Sequence, residues 1–133
     1  MPPAGLYYLT SHEWVRLDGN RGRVGITDFA VAEIKDIVYV DLPQPGTLVT
    51  AGAAFGAVET VKAAFDLYAP VSGTVAAANP DLAAHPERVA EDPFGAGWMI
   101  EIEAPDAAGA AKEAGALLDA AGYEAHCRSH AGH

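Results

Sequence analysis

Lys62 is the residue whose type and position point most directly to chemistry. The chain has three lysines, Lys35, Lys62 and Lys112, and only Lys62 lies midway between two β-type runs closed by glycine and proline. We therefore expect its amine at the outer end of a hairpin. A solvated lysine amine is protonated at neutral pH and is a poor nucleophile without desolvation or a neighbouring cation. The position therefore favours a handle that another enzyme acylates, although a lysine in a turn, taken alone, is usually only a hydrated side chain.

The sequence on either side of Lys62 has the same order of features. Residues 45–52 give a turn, a short apolar strand and a second turn, and residues 69–75 repeat that order. This arrangement resembles the biotinyl and lipoyl carrier domains, in which two similar halves form a flattened barrel and the modified lysine lies on a protruding turn. The resemblance implies a mostly β fold, a flattened barrel or sandwich with short helices and a C-terminal helix.

Within that superfamily the chain resembles the H proteins of the glycine cleavage system, from about Tyr7 to Tyr123. The matching segments are residues 11–15, 24–28, 36–38, 42–43, 55–63, 69–73, 91–95 and 97–98. The resemblance implies that Lys62 carries lipoate in amide linkage, attached by a lipoyl ligase or lipoyltransferase. It further implies a carrier that is not itself an enzyme. The carrier would take an aminomethyl group from the pyridoxal-dependent glycine decarboxylase (P protein) to the tetrahydrofolate-dependent aminomethyltransferase (T protein), and dihydrolipoyl dehydrogenase (L protein) would reoxidise it.

Three carboxylates are candidate partners of the modified lysine. Glu59 and Asp66 flank Lys62 at similar distances along the chain, and they either help the attaching enzyme to recognise the turn or only keep it hydrated. Glu13 lies in a segment that the family carries near the cleft for the loaded arm, where its carboxylate could pair with the ammonium of the cargo. The alternative is a strand-edge glutamate beside a buried tryptophan. His12 is interpreted as structural, and the spacing gives no catalytic triad.

Three positions depart from the family pattern. Phe65 stands where a small residue, often serine, is common, which predicts an altered resting place for the arm. Lys35 stands where glycine is frequent, which puts the geometry of the local turn in doubt. Glu33 stands where some members have histidine, so no proton-handling role is transferred to it.

Other functions remain open to different degrees. A biotin carrier normally has methionine on both sides of the lysine, where this chain has Val61 and Ala63, and a lipoyl domain of a 2-oxoacid dehydrogenase usually has aspartate before the lysine and a flexible linker. A carrier that relays lipoate or binds lipoyl groups without glycine chemistry is the alternative that the sequence leaves open. A free-standing enzyme is disfavoured because no acid, base and nucleophile converge in the spacing.

The composition of the chain limits the partners and the cellular location that we expect. Eight basic and eighteen acidic residues among 133 give a formal charge of −10, which disfavours nucleic acid and anionic lipid as partners. The single cysteine, Cys127, and the lack of a leader pattern before Tyr7 predict a cytoplasmic protein, and no apolar stretch is long enough to span a membrane.

The pattern of residues also predicts the elements. Strands are expected at residues 7–9, 13–18, 21–26, 37–42, near Leu48, and at 54–59, 63–68, 73–79 and 98–103. A short helix should follow an N-cap at Thr27 or Asp28, and an alanine-rich helix should run from 106 to 121 and end at Gly122. We expect one carrier domain over residues 1–125. Residues 126–133 contain histidine and cysteine but are predicted to be a disordered tail with no metal site.

Overall fold

The computed structural model describes residues 5–34 and 36–131, without the side chains of 129–131. Lys35, with its predicted effect on the local turn, lies outside the described residues. The strands are β1 (Tyr7–Tyr8), β2 (Glu13–Asp18), β3 (Arg21–Ile26), β4 (Ile37–Asp41), β5 (Leu48–Val49), β6 (Ala54–Thr60), β7 (Ala64–Tyr68), β8 (Gly73–Ala78) and β9 (Ile100–Glu103). The helices are α1 (Asp28–Ile34), α2 (Asp81–Ala84), α3 (Arg88–Glu91), α4 (Ala107–Gly115) and α5 (Ala120–Ala131).

The strands form two antiparallel sheets. The larger sheet has the order β1-β2-β3-β9-β8-β5, and the smaller sheet has the order β4-β6-β7. The two sheets do not close into one barrel, and the core lies between them with valine side chains from both. The predicted mostly β fold is therefore confirmed, in its sandwich form.

The smaller sheet carries the hairpin that contains Lys62. Strands β6 and β7 pair with Glu59 opposite Ala64 and Val58 opposite Phe65, and β4 pairs with the other edge of β6. Residues directly opposite one another in an antiparallel pair point to the same face. Val58 and Leu67 point into the core and are buried, so the hairpin is anchored by its inner face.

The C-terminal helices differ from the prediction. The expected helix over 106–121 is interrupted after Gly115, because Leu118 forms an isolated bridge with Tyr8 of β1. A new helix, α5, begins after Asp119, whose carboxylate accepts a hydrogen bond from the Gly122 amide at 2.8 Å. The prediction that Gly122 ends a helix was therefore wrong, because Gly122 lies in the first turn of α5.

The same helix crosses the predicted start of the tail. α5 continues through residues 126–131, so position 125 is not the end of an element. Residues 132 and 133 lie outside the described residues. The division of the chain at 125 stays a prediction.

Gly56 of β6 provides a direct test of how closely the strands of the smaller sheet approach. A Cβ atom at this position would run into the backbone carbonyl oxygen of Asp41 on β4, and a backbone atom cannot turn aside as a side chain can. We expect Gly56→Ala to lower the free energy of unfolding by about 1–3 kcal/mol. As the matched control, Gly115→Ala places its Cβ in open space at the end of α4 and should be neutral or stabilise by up to about 1 kcal/mol. Urea unfolding of both variants checks this, and equal effects would contradict the packing argument.

Candidate functional site at the Lys62 hairpin

The turn that carries Lys62 is fixed by hydrogen bonds from both the side chain and the backbone of Thr60. Thr60 Oγ1 accepts hydrogen bonds from the amides of Lys62 at 3.3 Å and Ala63 at 3.1 Å, and it donates to the Ala63 carbonyl at 3.1 Å. The Thr60 amide also donates to the Ala63 carbonyl at 2.8 Å. Lys62 itself is exposed. The amine is therefore presented to solvent on a backbone whose conformation is held, as the sequence predicts.

Two cavities lie side by side next to this turn. The lysine cavity has a volume of about 270 Å³ and includes Lys62 in its lining. The glutamate cavity has a volume of about 480 Å³ and includes Glu13 in its lining. Both are lined by Glu33, Ile34 and Phe65, so the two cavities adjoin at the protein surface, and together they are called the groove below.

Glu13 is a buried carboxylate at the inner end of this groove. Its side chain is 1 % exposed, and its two oxygens accept hydrogen bonds from Ser11 Oγ at 2.5 Å and from the Tyr68 amide at 2.7 Å. Burial raises the pKa of the Glu13 carboxyl above its ordinary value, and the bonds from Ser11 and Tyr68 oppose that rise. A carboxylate that is buried and still lines a cavity is well suited to pair with a cation entering from the groove.

His12 anchors the loop that carries Ser11 and leads into Glu13. Its φ of 82° lies in the left-handed region, where few residues other than glycine are found. Its Nδ1 lies 2.8 Å from the hydroxyl of Tyr123 on α5, and that hydroxyl lies 2.5 Å from Thr27 Oγ1. Thr27 in turn caps α1 by accepting from the Ala30 amide at 3.2 Å, as predicted. These contacts support the interpretation of His12 as structural.

The buried Tyr8 predicts how the stability of the protein changes at alkaline pH. Tyr8 stacks on Tyr123 with ring centroids 4.6 Å apart. Burial, with a smaller contribution from the charge of Asp28, raises the pKa of Tyr8 to about 12. The folded state therefore keeps a proton that the unfolded chain loses near pH 10, so stability must fall as pH rises from about 10 toward 12.

The variant Tyr8→Phe removes this ionisable group while keeping the ring stack. We expect wild type to lose stability relative to Tyr8→Phe between pH 9 and 11.5, measured by urea unfolding at each pH. A constant difference over that range would show that the Tyr8 hydroxyl ionises freely in the folded state.

The two carboxylates predicted beside Lys62, Glu59 and Asp66, both lie on the hairpin, but only Asp66 lines the groove. Asp66 is exposed and lines the glutamate cavity. Glu59 is exposed and lies opposite Tyr39 and Ala64 in the smaller sheet. Recognition of either residue by an attaching enzyme stays a prediction.

Comparison with known proteins decides the family. The profile of the family described as "Glycine cleavage H-protein" matches residues 6–130. The chain belongs to this H-protein family. It is 51 % identical over 122 residues to the glycine cleavage system H protein of Mycobacterium avium (strain 104), which covers 91 % of this chain and 92 % of that relative. It is 49 % identical over 131 residues to that of Acidobacterium capsulatum, which covers 98 % of both chains.

A solved structure of the family has the same fold. The crystal structure of a glycine cleavage system H protein from Mycobacterium marinum aligns with a TM-score of 0.83 and 35 % sequence identity. The alignment covers 93 % of this chain and 97 % of that one. The resemblance stated from the sequence is therefore confirmed over nearly the whole chain.

Other features of this family member bear on the remaining predictions. Within the described part of the chain, no three His, Cys, Asp or Glu side chains are placed to hold one metal ion. Cys127 is a free thiol, partly buried against the cluster that contains Tyr8 and Tyr123. Among the helices that the structure describes, none combines the length and apolar character needed to cross a membrane.

Thr60 and Tyr123 are the residues of the site that sequence reasoning missed. Thr60 lies two residues before Lys62, and a threonine at the start of a turn is a recognised signal for this type of bond. Tyr123 lies more than 100 residues from His12, so its contact could not be read from the chain.

Proposed function

We propose that this protein is the lipoylated carrier of a glycine cleavage system, with lipoate in amide linkage on Lys62. The observation that carries the proposal is the exposed Lys62 on a turn braced by Thr60, at the open end of a groove that leads to the buried Glu13. Membership in the H-protein family supports it. When bound, the lipoyl group supplies a dithiolane that can accept and release a one-carbon amine and undergo reduction and reoxidation.

The residues of the groove fit such an arm. The amide bond removes the positive charge of Lys62, so the extended side chain can lie along apolar walls. Ile34 and Phe65 supply such walls where the two cavities meet, and Glu13 supplies a buried carboxylate in the glutamate cavity. Each region therefore suits a different part of the arm and its cargo.

Glu13 would act by pairing with the cargo. An aminomethyl group carries an ammonium, and the Glu13 carboxylate is held ready by Ser11 and Tyr68. A hydrogen bond between charged partners is stronger than one between neutral groups, and it is strongest away from bulk water. The pairing would keep the cargo in the groove and slow its loss as ammonia and formaldehyde.

The protein would hold and present its cargo, while its partners do the chemistry. The proposed partners are the glycine decarboxylase, the aminomethyltransferase, the dihydrolipoyl dehydrogenase and the lipoyl-attaching enzyme. Tethering raises the concentration of the reacting group at each partner and avoids release of a labile adduct. The cytoplasmic location predicted from the sequence belongs to the same proposal.

Reconstitution with a glycine decarboxylase tests this function. The lipoylated chain should support exchange of labelled carbon dioxide into the carboxyl group of glycine, and the chain without lipoate should not. Lipoylated protein that supports no exchange, with a decarboxylase shown to be active on another H protein, would contradict the proposal and favour a lipoate relay.

A further inference from the structure

Phe65 is an inward-facing aromatic residue that the core does not cover. The register places Val40, Val58 and Phe65 in one row across β4, β6 and β7, so the three side chains point to the same face. Val40 and Val58 are buried, whereas Phe65 is 43 % exposed. The core therefore ends beneath this ring, on the side where the groove runs.

Phe65 lies where the two cavities of the groove meet. Phe65 lines both the lysine cavity and the glutamate cavity, and so do Glu33 and Ile34 of α1. A group attached to Lys62 that reaches toward Glu13 along the two cavities comes beside Phe65 and Ile34, which line both of them. Phe65 and Ile34 thus form the apolar part of the passage between the two cavities.

We propose that Phe65 is a positioning residue that holds the Lys62-borne lipoyl arm in the groove. This inference rests on the proposed function, and the group that occupies the groove is the arm on this chain's own Lys62. The arm consists of methylene groups and a sulfur ring, and both kinds of group make favourable contacts with an aromatic face. The contact covers the exposed part of Phe65 and shields the arm from solvent.

The contact depends on acylation of Lys62. The amide bond removes the positive charge of the side chain, and a neutral chain is buried against apolar walls at a much lower cost in free energy than a charged one. Phe65 and Ile34 supply apolar walls in the cavity that Lys62 also lines. We therefore expect the contact with Phe65 in the lipoylated protein and not in the unmodified one.

The test compares lipoylated wild type with Phe65→Ser and Phe65→Leu. All chains carry Cys127→Ser, so that the reduced arm provides the only thiols. Leu48→Ser is the matched control, because Leu48 is a large apolar residue that is 80 % exposed on β5 of the other sheet. After reduction with a phosphine, the rate at which iodoacetamide alkylates the arm is measured by mass spectrometry.

We expect Phe65→Ser to raise the alkylation rate about three- to tenfold, because it removes the aromatic contact with the sulfur atoms and methylene groups. Phe65→Leu should fall between that variant and wild type, and Leu48→Ser should match wild type. In the wild type, nuclear Overhauser contacts should join the arm methylenes to the Phe65 ring. Equal rates for Phe65→Ser and wild type, both lipoylated, would overturn this inference alone. Failure of a lipoyl ligase to modify the wild type would overturn both the inference and the proposed function.

Discussion

Lys62→Arg should abolish glycine-dependent exchange of carbon dioxide in the reconstituted system. Arginine keeps the positive charge and the length of the side chain, but it offers no amine that a lipoyl-attaching enzyme can convert to the amide. The turn should keep its conformation, because the bonds that fix it come from Thr60 and from backbone groups. We therefore expect exchange to fall to the background rate while the thermal stability stays that of wild type.

Lys112→Arg is the matched control for this experiment. Lys112 is exposed in the last turn of α4, away from the hairpin, and the substitution makes the same chemical change. It should leave both lipoylation and exchange at the wild-type level. Residual exchange by Lys62→Arg, or an equal loss in both variants, would contradict the role of Lys62.

Glu13→Ala should shorten the lifetime of the aminomethyl-loaded protein by about ten- to a hundredfold, the equivalent of one lost hydrogen bond to a charged group at about 1.5–3 kcal/mol. The carboxylate is the only buried acidic side chain among the described residues, and it lines the glutamate cavity. Decay of the loaded form, followed by intact-protein mass spectrometry, measures this lifetime. Equal lifetimes in wild type and Glu13→Ala would refute the pairing.

Glu13→Gln separates the charge of this residue from its shape. The amide can still accept from the Tyr68 amide, so the fold should be kept, while the ammonium of the cargo loses its ionic partner. Because burial raises the pKa of Glu13, the folded state binds its proton more tightly than the unfolded chain does. Wild type should therefore lose stability relative to Glu13→Gln as pH rises from about 4.3 through that raised pKa. If wild type instead gained stability relative to Glu13→Gln over this pH range, the raised pKa of Glu13 would be contradicted.

The hairpin and its lysine were predictable because the evidence is local. Alternating residues on each side of Lys62, together with the turns that close both strands, specify β6 and β7 and the exposed position between them. The alternation also places Leu67 in the core and Asp66 on the other face, as the structure shows. Patterns of residues that lie close together along the chain are sufficient to predict features of this kind.

The groove could not be predicted from the same rules. β2 begins with Glu13, Trp14 and Val15, which are all buried, so alternation fails at the residue that matters most. The loop that aims Glu13 depends on Tyr123, which is brought to His12 by α5. Alanine-rich composition favours one continuous helix, and only the tertiary bridge of Leu118 to Tyr8 explains why α5 starts anew. Contacts between distant segments therefore complete a site that local patterns only begin.

Peptide mapping after treatment with a lipoyl ligase and lipoate is the decisive test of Lys62 as the site of lipoate attachment. We expect intact wild-type protein to gain the mass of one lipoyl group, and fragmentation to place the whole of it on Lys62. A lipoyl group found on another lysine, or a wild-type chain that gains none under conditions that modify a known H protein, would contradict it.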